Sequence, residues 1–166
     1  DTGCFKYANT SPEAHRIAAE LMEIGIRHEI INRVMFDIKS RARLELERLA
    51  LDSIRFYYGD RCAVMFITNE MVTRSGAGEN DMEGLAPISR QIEGVWVGIT
   101  LRQKADGCFK VSVRTGTHAD AAAICSRLGG GGHNRAAGCS LAGTAEEAVA
   151  RLLAAVKETV PEIAAN

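Results

Sequence analysis

Residues 95–115 read VWVGITLRQ, then KADG, then CFKVSVRT. Both flanking runs are rich in β-branched and aromatic residues, and Val111 and Val113 alternate with Ser112 and Arg114. Such alternation sets one face of a strand against a core and the other in water. A glycine-containing turn between two such runs makes a hairpin. The same reading applies upstream. Ile54, Phe56 and Tyr58 alternate, Gly59-Asp60 supplies a turn, and Cys62, Val64 and Phe66 alternate again. Two hairpins commit the centre of the chain to β-sheet.

Outward from the hairpins the period becomes helical. Ser11 as N-cap, Pro12 at the first helical position and Glu13 in the first turn open a helix whose stripe is Ile17, Ala18, Leu21 and Met22, with Gly25 as its stop. Further helices are expected over 28–36 and about 40–51, the latter with Leu46, Leu49 and Ala50 on its apolar face. Between the hairpins, Thr68 caps a short helix to about Arg74, and Leu85, Ile88 and Ile92 mark another, ended by Gly94. Past the second hairpin, Thr117 is expected to cap a helix through Leu128. A glycine loop and a short strand at 139–141 follow. Thr144 and Glu147 then form a capping box for a final amphipathic helix. The fold class is therefore α+β, with a boundary near residue 52 between a helical N-terminal portion (1–52) and an α+β domain (53–166).

Composition bounds the function. The chain has 166 residues, 46% hydrophobic and 25% charged, which is enough apolar material for a core. No apolar run approaches the roughly 20 residues that span a bilayer, so no membrane association is expected and a cytoplasmic location is. Twenty Lys and Arg against 21 Asp and Glu give a net charge of −1, which argues against sequence-independent binding of long nucleic acid. A short phosphorylated ligand held by two or three local cations remains open. The five cysteines are scattered without metal-type spacing, so reduced and mostly buried thiols are expected. The chain opens on DTGCF without a starting methionine, as a fragment or processed chain would.

Residues 129–138, GGGGHNRAAG, carry the strongest chemical signal. Glycine lets the main chain approach a ligand closely, and successive N–H groups can form an anion-binding concavity. His133 adds a donor and, when protonated, a charge. The competing reading is that Gly129 ends a helix and the rest is a turn. Arg114, at a strand end, is placed to fork onto a phosphate; alone it would be an ordinary surface arginine. His118 beside a helix N-terminus reads as solvated, and His15 and His28 carry no assignment. Asp1 alone cannot hold a catalytic metal pair, and no DHH, HxH or HExxH cluster occurs. The residues thus describe a phosphate-binding domain without an engine of its own.

GGGHNRAAG (130–138) resembles the GGGH-x-x-AAG signature of the DHH-associated C-terminal domain, type 1, which accompanies the DHH phosphoesterases. The opening DTGCFKYANTSPEA resembles the end of a DHH catalytic domain, where a D-T-G stretch carries the last metal-ligating aspartate. The strand–GD–strand pair, the D-x-E-G helix (Asp81, Glu83, Gly84) and the SVRT strand fall in the family's order. The likeness covers essentially the whole chain and is nearest to the bacterial oligoribonuclease/phosphoadenosine-phosphate phosphatase branch, the nanoRNases.

That resemblance implies a mixed sheet with flanking helices, preceded by a helical segment from the end of the DHH domain. It implies a manganese-dependent phosphodiesterase or phosphatase acting on short RNA oligonucleotides or 3′-phosphoadenosine-5′-phosphate. Asp1 would be a manganese ligand. Gly130, Gly131, Gly132 and His133 would hold a substrate phosphate, and Arg114 would clamp it. A homodimer is the family-derived expectation. The DHH triad and the other metal ligands are absent, so the chain alone is expected to be inactive. Two rivals stay in view: a non-catalytic RNA-binding domain, as in alanyl-tRNA synthetase C-terminal regions, and a cyclic or linear dinucleotide phosphodiesterase. A plain α+β domain using its glycines as a linker is the third.

Overall fold

The structure is a computed structural model, and it describes residues 2–6 and 9–165. The chain falls into two compact units, residues 1–39 and 40–166. In the first, α1 (Pro12–Ile24) begins as its sequence dictates, with Ser11 Oγ accepting the N–H of Ala14 at 3.2 Å and Pro12 in the first turn. The second helix, α2 (His28–Asn32), widens into a π-turn over Arg33–Asp37. The helices of this unit bury no side chain. Ile17, Leu21 and Met22, the expected apolar stripe, are 49%, 42% and 49% exposed.

The second unit opens with α3 (Arg41–Asp52), capped by Ser40 Oγ, which accepts the N–H of Arg43 at 2.9 Å. It continues with strands β1 (Arg55–Tyr57) and β2 (Cys62–Ile67), helix α4 (Asn69–Ser75), and strands β3 (Val97–Gln103) and β4 (Phe109–Thr115). Helix α5 (Ala121–Ser126), strands β5 (Gly131–His133) and β6 (Ala136–Leu141), and helix α6 (Ala145–Thr159) complete it. The strands form one mixed sheet in the order β1-β2-β3-β4-β6-β5, with β2 and β3 parallel and every other pair antiparallel. The fold is therefore α+β with a helical segment ahead of the sheet. Among the described residues no helix is long and apolar enough to cross a membrane.

Two cores follow from how the sheet is covered. On one face Ile99, Val111, Val113 and Leu141 pack with Ile124 of α5 and Leu152 of α6. On the other, α3 contributes Leu46 and Ala50, which meet Met65, Ile67 and Leu85. Strand β2 is covered on both sides and reads as the apolar run CAVMFI. Strand β4 is covered on one side only, so it alternates, with Phe109, Val111, Val113 and Thr115 buried. Its other face, carrying Lys110, Ser112 and Arg114, is the part of the sheet left for function.

Three expected elements differ. The helix expected around 85–92 is instead two short 3-10 turns, Asn80–Met82 and Ile88–Arg90. Pro87 removes a donor and disfavours helical geometry at Ala86. The second turn lies directly on β3, where a Cβ at Gly98 would strike the backbone of Arg90. Helix α5 begins at Ala121, not after Thr117, because Asp120 is the cap and accepts the N–H of Ala123 at 3.0 Å. The glycine stretch is not a loop before a strand at 139–141: Gly131–His133 is itself an edge strand, and its partner β6 begins at Ala136. The other caps match, including the Thr144–Glu147 capping box and Thr68 ahead of α4.

Candidate phosphate-binding face

Register decides which side chains share the open face. Directly opposed residues of antiparallel strands point to the same side. One row across β3, β4, β6 and β5 is Gly98, Arg114, Ala136 and His133. The next is Thr100, Ser112, Gly138 and Gly131, and the third is Arg102, Lys110 and Ser140. The middle row holds two glycines and two small hydroxyl residues, so it forms a trough. Arg114 and His133 line one side, Lys110 and Arg102 the other.

Each glycine of the 129–132 run has its own reason. Gly129 has φ 75° and ends α5, its N–H donating to the carbonyl of Ser126 at 3.2 Å. A Cβ at Gly130 would collide with the carbonyl of Gly138 and with Cys139. A Cβ at Gly132, where φ is 148°, would lie 2.6 Å from the carbonyl oxygen of Ala136. Packing of β5 on β6 therefore accounts for both. Gly131 is different: a Cβ there would meet nothing within 4 Å. No contact demands glycine at that position, and it sits at the end of the bare row.

The hairpin that carries His133 is pinned. The carbonyl of Asn134 accepts the N–H of Ala121 at 2.8 Å and the hydroxyl of Thr115 at 2.9 Å. The guanidinium of Arg135 donates to the carbonyls of Gly116 and Ala119. Arg135 is thereby spent on structure. Arg114 is not: its Nη1 donates to the neighbouring Val113 carbonyl at 3.1 Å, and among the described residues no carboxylate pairs with it. His133 is exposed, roughly 10 Å from Arg114 by two interstrand spacings. A cation, an imidazole and a bare floor between strands suit a tetrahedral oxyanion.

The segment 78–86 walls the other end of the trough. With Thr100, Arg102, Lys110, Ser112 and Arg114 it encloses a cavity of about 370 Å³. Asp81 and Glu83 of the D-x-E-G stretch hold this wall in place. The Asp81 carboxylate accepts the Ser40 hydroxyl at 2.5 Å and the Gly78 N–H at 2.9 Å. Those bonds, the Ser40 one first, hold its carboxyl below the usual range. Arg43 donates to the carbonyls of Asp81 and Glu83. Glu79 pairs with Arg102, which pulls its carboxyl down. The Asp81 and Glu79 carboxylates are engaged as anchors and do not stand free as bases.

The remaining candidates separate cleanly. His118 stacks on Trp96 with centroids 4.6 Å apart, and the Arg61 guanidinium lies 4.9 Å from the same indole. His15 stacks on Phe5 at 4.5 Å. Asp1, the expected metal ligand, lies outside the described residues. Among the described residues no three His, Cys, Asp or Glu side chains cluster as a metal would require. All five cysteines are free; Cys62, Cys125 and Cys139 are buried. Lys110, Ser112, Arg102 and Ser140 were missed by sequence reasoning. The alternation of FKVSVRT was signal enough for the first two, since it sets them on one face with Arg114.

Comparison with known proteins agrees with this architecture. Residues 59–162 match the model of the DHHA1 domain. The chain is 37% identical over 160 residues to a bifunctional oligoribonuclease and PAP phosphatase of Thermus thermophilus, covering 95% of this chain and 47% of that protein. Among solved structures it is similar to an exopolyphosphatase-related protein from Bacteroides fragilis. That match has a TM-score of 0.87 and 28% identity, over 98% of this chain and 48% of the other. The chain thus spans about half the length of these relatives.

Proposed function

The chain belongs to the DHHA1 domain family, and from that premise we propose that it is the substrate-binding part of a manganese-dependent phosphoesterase acting on short oligoribonucleotides and 3′-phosphoadenosine-5′-phosphate. In this reading residues 1–52 are the end of a DHH catalytic domain and residues 53–166 bind substrate in a cytoplasmic enzyme. The observation that carries it is the row Arg114–Ala136–His133 beside the bare row Ser112–Gly138–Gly131. The named activity of the Thermus relative supports the choice of substrate.

Binding and orientation are what this chain contributes. Arg114 grips a terminal phosphate with a two-pronged guanidinium, which fixes direction as well as charge. Main-chain N–H groups near Gly131 and the His133 ring complete the cradle. Manganese, when bound, would supply the activated water. The described residues hold no cluster for it, so Asp1 would be one ligand and the others would come from the rest of the enzyme.

Titrating the 166-residue chain with a 5′-phosphorylated diribonucleotide tests this reading. Arg114→Ala is expected to weaken binding about tenfold or more, and His133→Ala several-fold, given the usual worth of charge-assisted hydrogen bonds. Unchanged affinity in both variants overturns it. The chain alone with Mn²⁺ is expected not to turn the ligand over.

A further inference from the structure

Lys110 stands on the same face of β4 as Arg114, four residues back along the strand, and the proposed phosphate site does not use it. Its cross-strand neighbours are Arg102 on one side and Ser140 on the other. Arg102 is already paired with Glu79, and Lys104 is paired with Asp106 at 3.2 Å. Lys110 has neither a hydrogen bond nor an ion pair among the described residues. Of the cations facing this end of the trough, it is the one held by no hydrogen bond or ion pair, and the Glu79 carboxylate across the cavity, which feels its charge, is itself bonded to Arg102.

Lys110 also borders two cavities. It lines the 370 Å³ cavity that holds Ser112 and Arg114, and one of about 460 Å³ that holds Gly138, Ser140 and Lys104. Lys110 is thus common to both. Along β4 the Cα atoms of Arg114 and Lys110 are about 13 Å apart by the strand rise, whereas one extended sugar–phosphate repeat covers roughly half of that.

We propose that Lys110 is a second phosphate subsite, which receives a phosphodiester about two linkages from the phosphate held at Arg114. The ligand class is single-stranded oligonucleotide of three or more residues, lying along β4 over Ser112 and Gly138. The 3′- and 5′-phosphates of a single nucleotide lie only about one sugar apart, short of the span between the Arg114 and Lys110 strand positions. Lys110 thereby favours an oligonucleotide over a nucleoside bisphosphate at the same primary site. This rests on the phosphate-binding reading of Arg114 given above.

The test measures affinity of the 166-residue chain for a 5′-phosphorylated triribonucleotide and for adenosine 3′,5′-bisphosphate. Lys110→Gln is expected to weaken the trinucleotide about tenfold and to leave the bisphosphate within about twofold. Its salt dependence should flatten by about 0.7 in the slope of log K against log salt, one phosphate contact on a single strand. Lys157→Gln, on α6 against the opposite face of the sheet, should change neither ligand. The subsite is refuted if Lys110→Gln weakens both ligands alike, weakens neither, or is matched by Lys157→Gln. Arg114→Ala separates the two readings, because it should weaken both ligands. Failure of the unaltered chain to bind either ligand would remove the primary site and this one with it.

Discussion

Arg114 and His133 stand in one row of the sheet with only the methyl group of Ala136 between them. Strands β4 and β5 are not neighbours; β6 lies between, and its small residue keeps the gap open. Ala136→Leu should fill that gap and weaken a 5′-phosphorylated dinucleotide about tenfold, while stability stays within roughly 0.5 kcal/mol as for other partly exposed sites. Calorimetric titration beside thermal melting checks both halves. Full affinity with a leucine in place would mean that the ligand does not sit in this row.

The glycine run divides into positions held by packing and one left for the ligand. Gly130→Ala and Gly132→Ala should each destabilise the fold by about 1–3 kcal/mol, because their new methyl groups strike the backbone of β6. Gly131→Ala should leave stability unchanged or raise it by up to about 1 kcal/mol, since nothing lies within 4 Å of the added carbon. It should nevertheless weaken phosphate binding. Denaturant unfolding of the three variants decides this, and equal losses in all three would contradict the assignment.

A pH effect follows from the wall of the trough. The Asp81 carboxyl titrates below its ordinary value because Ser40 and Gly78 donate to its ionised form. A depressed folded-state pKa contributes stability above the unfolded value, near 3.9, and that contribution is lost as pH falls through the folded value. Ser40→Ala should therefore lower the melting temperature at neutral pH, and the difference should shrink as pH drops below about 4. A difference that persists unchanged at pH 2 would locate its cause elsewhere.

Thiol chemistry should report burial. Burial pushes the Cys62 thiol up to about 12, so little thiolate exists at neutral pH. Cys125 is raised as well, by its hydrogen bond with Cys139 and by burial. A maleimide applied to the native chain should modify Cys4 and Cys108, which are half-buried, well before Cys62 and Cys125. Peptide mass mapping over time reads the order directly; early labelling at Cys62 would contradict the packing of β2.

Much of this arrangement was legible in the residues themselves. The two hairpins, the Ser11, Thr68 and Thr144 caps and the alternation of β4 depend on local patterns, and local patterns survive folding. The segment around 85–92 was misread as helix because Leu85, Ile88 and Ile92 have helical spacing, yet the burial of Leu85 and Ile88 serves a wall bonded to α3 and β3. The glycines were read as free backbone when Gly130 and Gly132 answer to a neighbouring strand far along in the register. Lys110 escaped notice for a related reason: which cation lacks a partner depends on pairings such as Arg102 with Glu79, 23 residues apart.

The most direct test of the phosphate face is a two-dimensional amide NMR titration of the 166-residue chain with a 5′-phosphorylated dinucleotide. The account predicts the largest shift changes at Gly131, Gly132 and His133, with smaller ones at Ser112, Arg114 and Gly138, and little change around Trp96 and His118. Saturating ligand that leaves the amides of Gly131–His133 unmoved, or that shifts only the Trp96–His118 stack, would contradict it.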